Sequence, residues 1–159
     1  MQPMTFALVA LYNLILALWA GGMVLFTFIV TPVIFHSFDR DQAGEIVGSL
    51  FPGYFLYLLV LSVLALALFF LLGADHTTRL FRASLFLLGV GVIINAYVLF
   101  SLHPRTVEVK QRVASFERAA PDSPARKEFR KLHAVSAVLN LALLADGIAL
   151  LILSRNIAK

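Results

Sequence analysis

The sequence predicts an all-α integral membrane protein: a four-helix bundle with amphipathic interfacial helices in the 36–51 and 104–120 connections. Composition is the first reason, because the 159 residues are 60% hydrophobic and only 14% charged, against roughly a quarter charged in soluble domains. The second is the presence of four long apolar stretches, about 6–35, 52–73, 80–102 and 132–153. Each reaches the ~20 residues that cross a hydrocarbon core ~30 Å thick, far beyond a barrel strand of about 10. The third is a single long polar interruption, 103–131, which holds eight of the thirteen Lys and Arg residues between apolar blocks. The four spans read as one transmembrane domain.

The first stretch has no Lys or Arg before it, and its apolar run outlasts a secretory h-region, so it is expected to remain on the mature protein. After it, Ala43, Ile46, Val47, Leu50 and Phe51 recur at helical spacing behind Asp41, which suits a helix start, and Pro52 ends the run. A short helix along the interface is expected there. In the second long connection Val109, Val113, Phe116 and Ala120 mark one face. Glu108 and Arg112 stand four apart, and Pro121-Asp122-Ser123-Pro124 breaks the chain, with Ser123 and Pro124 opening the last helix as cap and first turn.

Four spans put the two long connections on one side with nine basic residues, and the termini and the 73–82 connection on the other with four. Positive-inside counting places the long connections in the cytoplasm and both termini outside. The formal charge of +4 points to anionic headgroups of the lipid bilayer rather than to nucleic acid. With no cysteine there is no disulfide, thiolate metal site or Cys nucleophile.

Polar residues within the spans form stripes. His133, Ser136, Asn140 and Gly147 share one face of the last span, Ser84, Gly91 and Asn95 one face of the third, and Asn13, Ala17, Ala20, Thr27 and Thr31 one face of the first. All three stripes are expected to face the bundle interior. Asn95 lies eight residues before His103 and Asn140 seven after His133, so on antiparallel neighbours the amides fall at one depth, ~10–12 Å below the histidines, where they can meet. His36, His103 and His133 gather at the same membrane face, a set whose imidazoles suit a metal ion or haem iron, though nothing in the sequence requires either. His76 is on the opposite side, expected in water. Asp146 lies deep in the last span, roughly 220° around from His133. It reads either as a proton or cation site or as a neutral or hydrogen-bonded acid near a water-filled crevice.

Taken together, Phe51-Pro52 followed by Tyr54-Phe55, then Asn95 before Pro104-Arg105-Thr106 with Glu108, then Phe129, His133, Ser136 and Asn140 resemble the signature of the TMEM205-like family, four-span membrane proteins also catalogued as DUF4149. The resemblance implies the four-span fold and no established catalytic activity. At the level of architecture such proteins are similar to CopD-type copper-handling and HemJ-type haem-pathway proteins, an analogy of fold rather than of site. It draws attention to His133, Asn140 and Asn95, with Arg105 expected to pair with Glu108 or a headgroup phosphate.

Three functional readings follow. In the first, a His/Asn/Thr pocket at one membrane face binds or passes a metal ion or small polar solute, as a homo-oligomer. In the second, the polar stripes only hold helices together, and the chain is a structural or assembly subunit of a larger membrane complex. In the third, the histidines hold haem in a redox protein.

Overall fold

The computed structural model describes residues 3–72, 78–113, 115–116, 120 and 123–155. His76, Pro121 and Asp122, named above, lie outside the described residues. Among the described residues the chain is helical throughout, with α1 (Pro3–Leu25), α2 (Thr31–Ser37), α3 (Arg40–Leu71), α4 (Arg79–Tyr97), α5 (His103–Gln111) and α6 (Pro124–Ser154). Single wide π-helical turns, Phe26–Val30 and Val98–Leu102, join α1 to α2 and α4 to α5.

Four rods result, spanning Met4–Ser37, Arg40–Leu71, Arg79–Gln111 and Pro124–Ser154, each long and apolar enough to cross a membrane. Each rod packs against the next in chain order, and α6 closes back on α1, the up-down-up-down arrangement of a four-helix bundle. Trp19, Leu16 and Met23 from the first rod meet Leu58 and Phe69, Leu88, and Leu150 from the other three, all fully buried. The outer surface is apolar as well: Phe100, Phe86 and Ile93 are about 70% exposed. A belt of bare Phe and Ile is what lipid chains cover. The chain is an integral, multi-pass membrane protein.

The helical segments at the polar end depart from expectation. Residues 40–51 do not form a separate interfacial helix, and Pro52 does not end the run; both lie inside the continuous α3. The reason is the phase of burial. Ala43 and Val47 are buried on the same face as Tyr54, Leu58, Leu61 and Ala65, so packing continues across the proline and offsets a cost of ~3 kcal/mol for a proline within a helix. Asp39 occupies the N-cap position, and no side chain caps that end; Asp41, assigned above to the helix start, reaches across the bundle instead.

The 104–120 connection likewise continues the third rod and stops at Gln111, short of the expected length. Beyond it the chain folds back, and the Asp41 carboxylate accepts hydrogen bonds from the Phe116 backbone N–H at 2.8 Å and the Ser115 hydroxyl at 2.6 Å. Two charge-assisted bonds to one carboxylate hold Ser115 and Phe116 against α3. Pro124 does open α6 in its first turn, but Ser123, at the cap position, makes no capping bond. At the other membrane face Thr78 caps α4, its hydroxyl accepting from the Phe81 N–H at 3.1 Å.

Candidate functional site

Three prolines shape one end of the bundle. Pro32 and Pro104 stand in the first turns of α2 and α5, where each lacks an N–H and presses its ring toward the carbonyl four residues back. The wide turns just before them absorb this, with the Thr31 N–H bonding to the Phe26 carbonyl and the His103 N–H to that of Val98, five residues back in each case. Such turns displace side chains from regular helical register and recur at functional sites. Here the two residues that complete them, Thr31 and His103, both line a cavity of about 440 Å³ at this end.

The cavity is the gap between two helix pairs, α2 with α3 and α5 with α6. Its membrane end is walled by Thr31, Phe51, His103 and His133. Its outer end is walled by Arg40, Lys110, Arg126 and Arg130, with Phe116 and Phe129 between. The Lys110 ammonium donates to the Gly44 carbonyl at 2.7 Å. Gly44 and Gly48 make room for it, because a Cβ on Gly48 would stand 3.2 Å from Nζ. His103 meets Phe51 and Phe55 edge-on, with ring centroids 6.1 and 5.3 Å apart, and His133 stacks on Phe129 at 5.9 Å.

Of the expected metal set, His103 and His133 share this cavity, while His36 does not line it. His36 donates from Nδ1 to the Pro32 carbonyl at 2.7 Å on its own exposed helix. Among the described residues no group of three or more His, Cys, Asp or Glu is arranged to hold a metal ion. His133 itself is exposed at the cavity edge, with aromatic rather than acidic company.

Below the cavity the amides behave differently from each other. Asn140 joins three rods: its Oδ1 accepts from the Tyr54 hydroxyl at 2.7 Å, and its Nδ2 donates to the Thr27 hydroxyl at 2.9 Å. Thr27 belongs to the first wide turn, and Tyr54 stacks on Phe26 at 4.2 Å. Asn95 does not meet Asn140, whose carbonyl and amide are both engaged elsewhere; Asn95 is buried with its Nδ2 unpaired. Its stripe companions Ser84 and Gly91 are buried too, as expected of an inward face. Ser136 is half-buried between His133 and Asn140. Ala17, expected inward on the first span, is exposed.

Arg105 pairs with Glu128 at 3.5 Å, not with Glu108, which is taken by Arg112. At one turn's separation Glu108 and Arg112 are natural helix partners, and Arg105 is left to bridge α5 to α6. Both pairs are exposed.

Asp146 sits far from the cavity, beside Trp19 and Gly91. A Cβ on Gly91 would stand 2.6 Å from the Trp19 ring and 2.8 Å from Asp146 Oδ2. Both Asp146 oxygens, Trp19 Nε1 and the Tyr12 hydroxyl are buried without partners. Sequence reasoning singled out Asp146 but not Trp19 or Tyr12. It also missed the basic wall of the cavity, whose signal was present: Arg126 and Arg130 stand four apart on α6, in line with His133.

Comparison with known proteins adds one match. A family profile described as a domain of unknown function (DUF4149) fits residues 14–115, more than half of the chain. The matched region takes in the first rod from residue 14 onward, the second and third rods and Pro104-Arg105-Thr106, and ends before Phe129, His133 and Asn140. No curated protein and no solved structure matches the chain.

Proposed function

The chain belongs to the DUF4149 family, and we propose that it binds a small polar solute in the cavity at one membrane face without transforming it. The observation that carries this reading is the cavity itself, about 440 Å³ and walled by Thr31, His103, Thr106 and His133. Its size lies within the range of roughly 300–1,000 Å³ common to ligand sites. A metal ion is the less favoured occupant, because His103 and His133 have aromatic neighbours where a metal site has carboxylates or further imidazoles.

Native mass spectrometry of protein purified without a histidine tag tests this. A small molecule retained by the wild type is lost in His133→Ala while the unfolding midpoint stays the same. Equal retention in His133→Ala overturns the assignment.

The narrower TMEM205-like reading rests on Phe51-Pro52 with Tyr54-Phe55 and on Phe129-His133-Ser136-Asn140. We orient the cavity toward the cytoplasm on the ratio of nine basic residues to four across the two sides. The chain has no cysteine, so Ser115→Cys supplies a unique thiol. Labelling of that thiol in intact cells by a membrane-impermeant maleimide reverses the orientation.

The second reading, a structural subunit, draws on Asn140, which spends both ends of its amide on helix–helix bonds. Co-purification of a larger complex with an empty cavity favours it.

A further inference from the structure

The cavity is not uniform along its length. From His103 to Lys110 on α5, and from His133 back to Arg126 on α6, are seven residues each, so its two ends lie about 10 Å apart along the membrane normal. Cations occupy the outer end: Arg40 from α3, Lys110 from α5, and Arg126 and Arg130 from α6. Among the described residues no Asp or Glu lines the cavity, and neither Arg40 nor Arg130 has an ion-pair partner. The inner end is neutral and aromatic, with Phe51 on one side and Phe129 carrying His133 on the other. Phe35 on α2 and His133 and Ala134 on α6, which also line the cavity, are exposed.

Resting on the reading of this cavity as a binding site, and replacing a wholly polar solute with one that also carries an apolar part, we propose that its occupant is an anionic amphiphile bearing a phosphate group. The phosphate lies among Lys110, Arg40 and Arg130, and the apolar portion runs inward past Phe51 and Phe129. Convergent cations without acids select a negative group, and guanidinium forks match phosphate oxygens. A free inorganic anion would satisfy the outer end and leave the aromatic inner end unused; a metal cation would meet repulsion at the outer end. A phospholipid with a net negative headgroup engages both.

The probes are phosphatidylglycerol, phosphatidylcholine and inorganic phosphate, each titrated against the detergent-purified full chain by native mass spectrometry. Phosphatidylglycerol is expected to bind most tightly. Each removed cation is expected to weaken it about fivefold, so Lys110→Met with Arg130→Met lowers binding about 25-fold. Arg79→Met with Arg82→Met, at the opposite face, leaves it unchanged and separates the cavity from general attraction of headgroups to basic ends. Inorganic phosphate matching the lipid in affinity would assign a soluble anion and overturn the amphiphile. Equal binding of the two lipids, or equal loss from both pairs of substitutions, overturns the site. A different small molecule held by the wild type and lost in His133→Ala would leave the cavity reading standing while this proposal fails; no cavity ligand in any arm overturns both.

Discussion

Replacing Asn140 with Leu keeps the side chain's bulk and removes one acceptor and one donor, cutting the links to Tyr54 and Thr27. Interhelical hydrogen bonds within bilayers average ~0.6 kcal/mol and reach ~1.7. Two of them give an expected loss of about 1.2 kcal/mol and a ceiling near 3.4 kcal/mol. The lower part of that range is favoured, because the buried Tyr54 hydroxyl keeps Thr27 as a side-chain hydrogen-bond partner. Reversible unfolding in mixed micelles, followed by circular dichroism, measures the change. Double-mutant cycles with Thr27→Val and Tyr54→Phe then isolate each link, with a coupling of about 0.5–1.7 kcal/mol expected for each. Asn95→Leu is the control, since its Nδ2 has no partner to lose: stability is expected to hold or rise. If Asn95→Leu cost as much as Asn140→Leu, or if both couplings vanished, the distinction between a bonded and an idle amide would be refuted.

Gly91→Ala is expected to destabilise the bundle by ~1–3 kcal/mol, because the new methyl meets the fully buried Trp19 ring and Asp146. Gly89→Ala, with open space around its Cβ position, should match the wild type or gain up to about 1 kcal/mol of helix propensity in the same unfolding assay; a loss equal to that of Gly91→Ala would show that contact with Trp19 and Asp146 does not set the cost. Asp41→Ala removes both acceptors that hold Ser115 and Phe116, so hydrogen exchange at the Phe116 amide should accelerate about tenfold or more, given ~1.5–3 kcal/mol for a bond to a charged group. An unchanged exchange rate would mean that other contacts hold the segment.

The four rods were legible because lipid demands long apolar runs, and those runs are visible residue by residue. The inward turn of Ser84, Gly91 and Asn95 followed from the same helical arithmetic. What the arithmetic mishandled was the polar end. Pro52 read as a terminator because local propensity was the only term available, whereas Ala43 and Val47 keep the buried face in phase across it. Equal depth suggested a bond between Asn95 and Asn140, but depth leaves rotation free, and Tyr54 and Thr27 presented hydroxyls to Asn140 instead. Arg105 was expected to pair with Glu108, three positions on, or with a headgroup phosphate. Glu108 had a better partner one full turn away in Arg112, and only the tertiary contact of α5 with α6 brings Glu128 within reach. Part of the basic wall was legible in the spacing of Arg126 and Arg130; the whole was not, because Arg40 and Lys110 join it from two other helices.

Prolines 32, 52 and 104 fall at the same end of three adjoining rods. Each deletes one backbone bond from its rod, while among the described residues α6 carries a proline only at its start. In mechanical terms the bundle is a stiff column with a compliant rim: bending strain concentrates where rungs are missing, and the half containing Trp19, Leu88 and Leu150 stays rigid. Any change of helix direction near the cavity is therefore expected at these prolines, with the packed half left as it is.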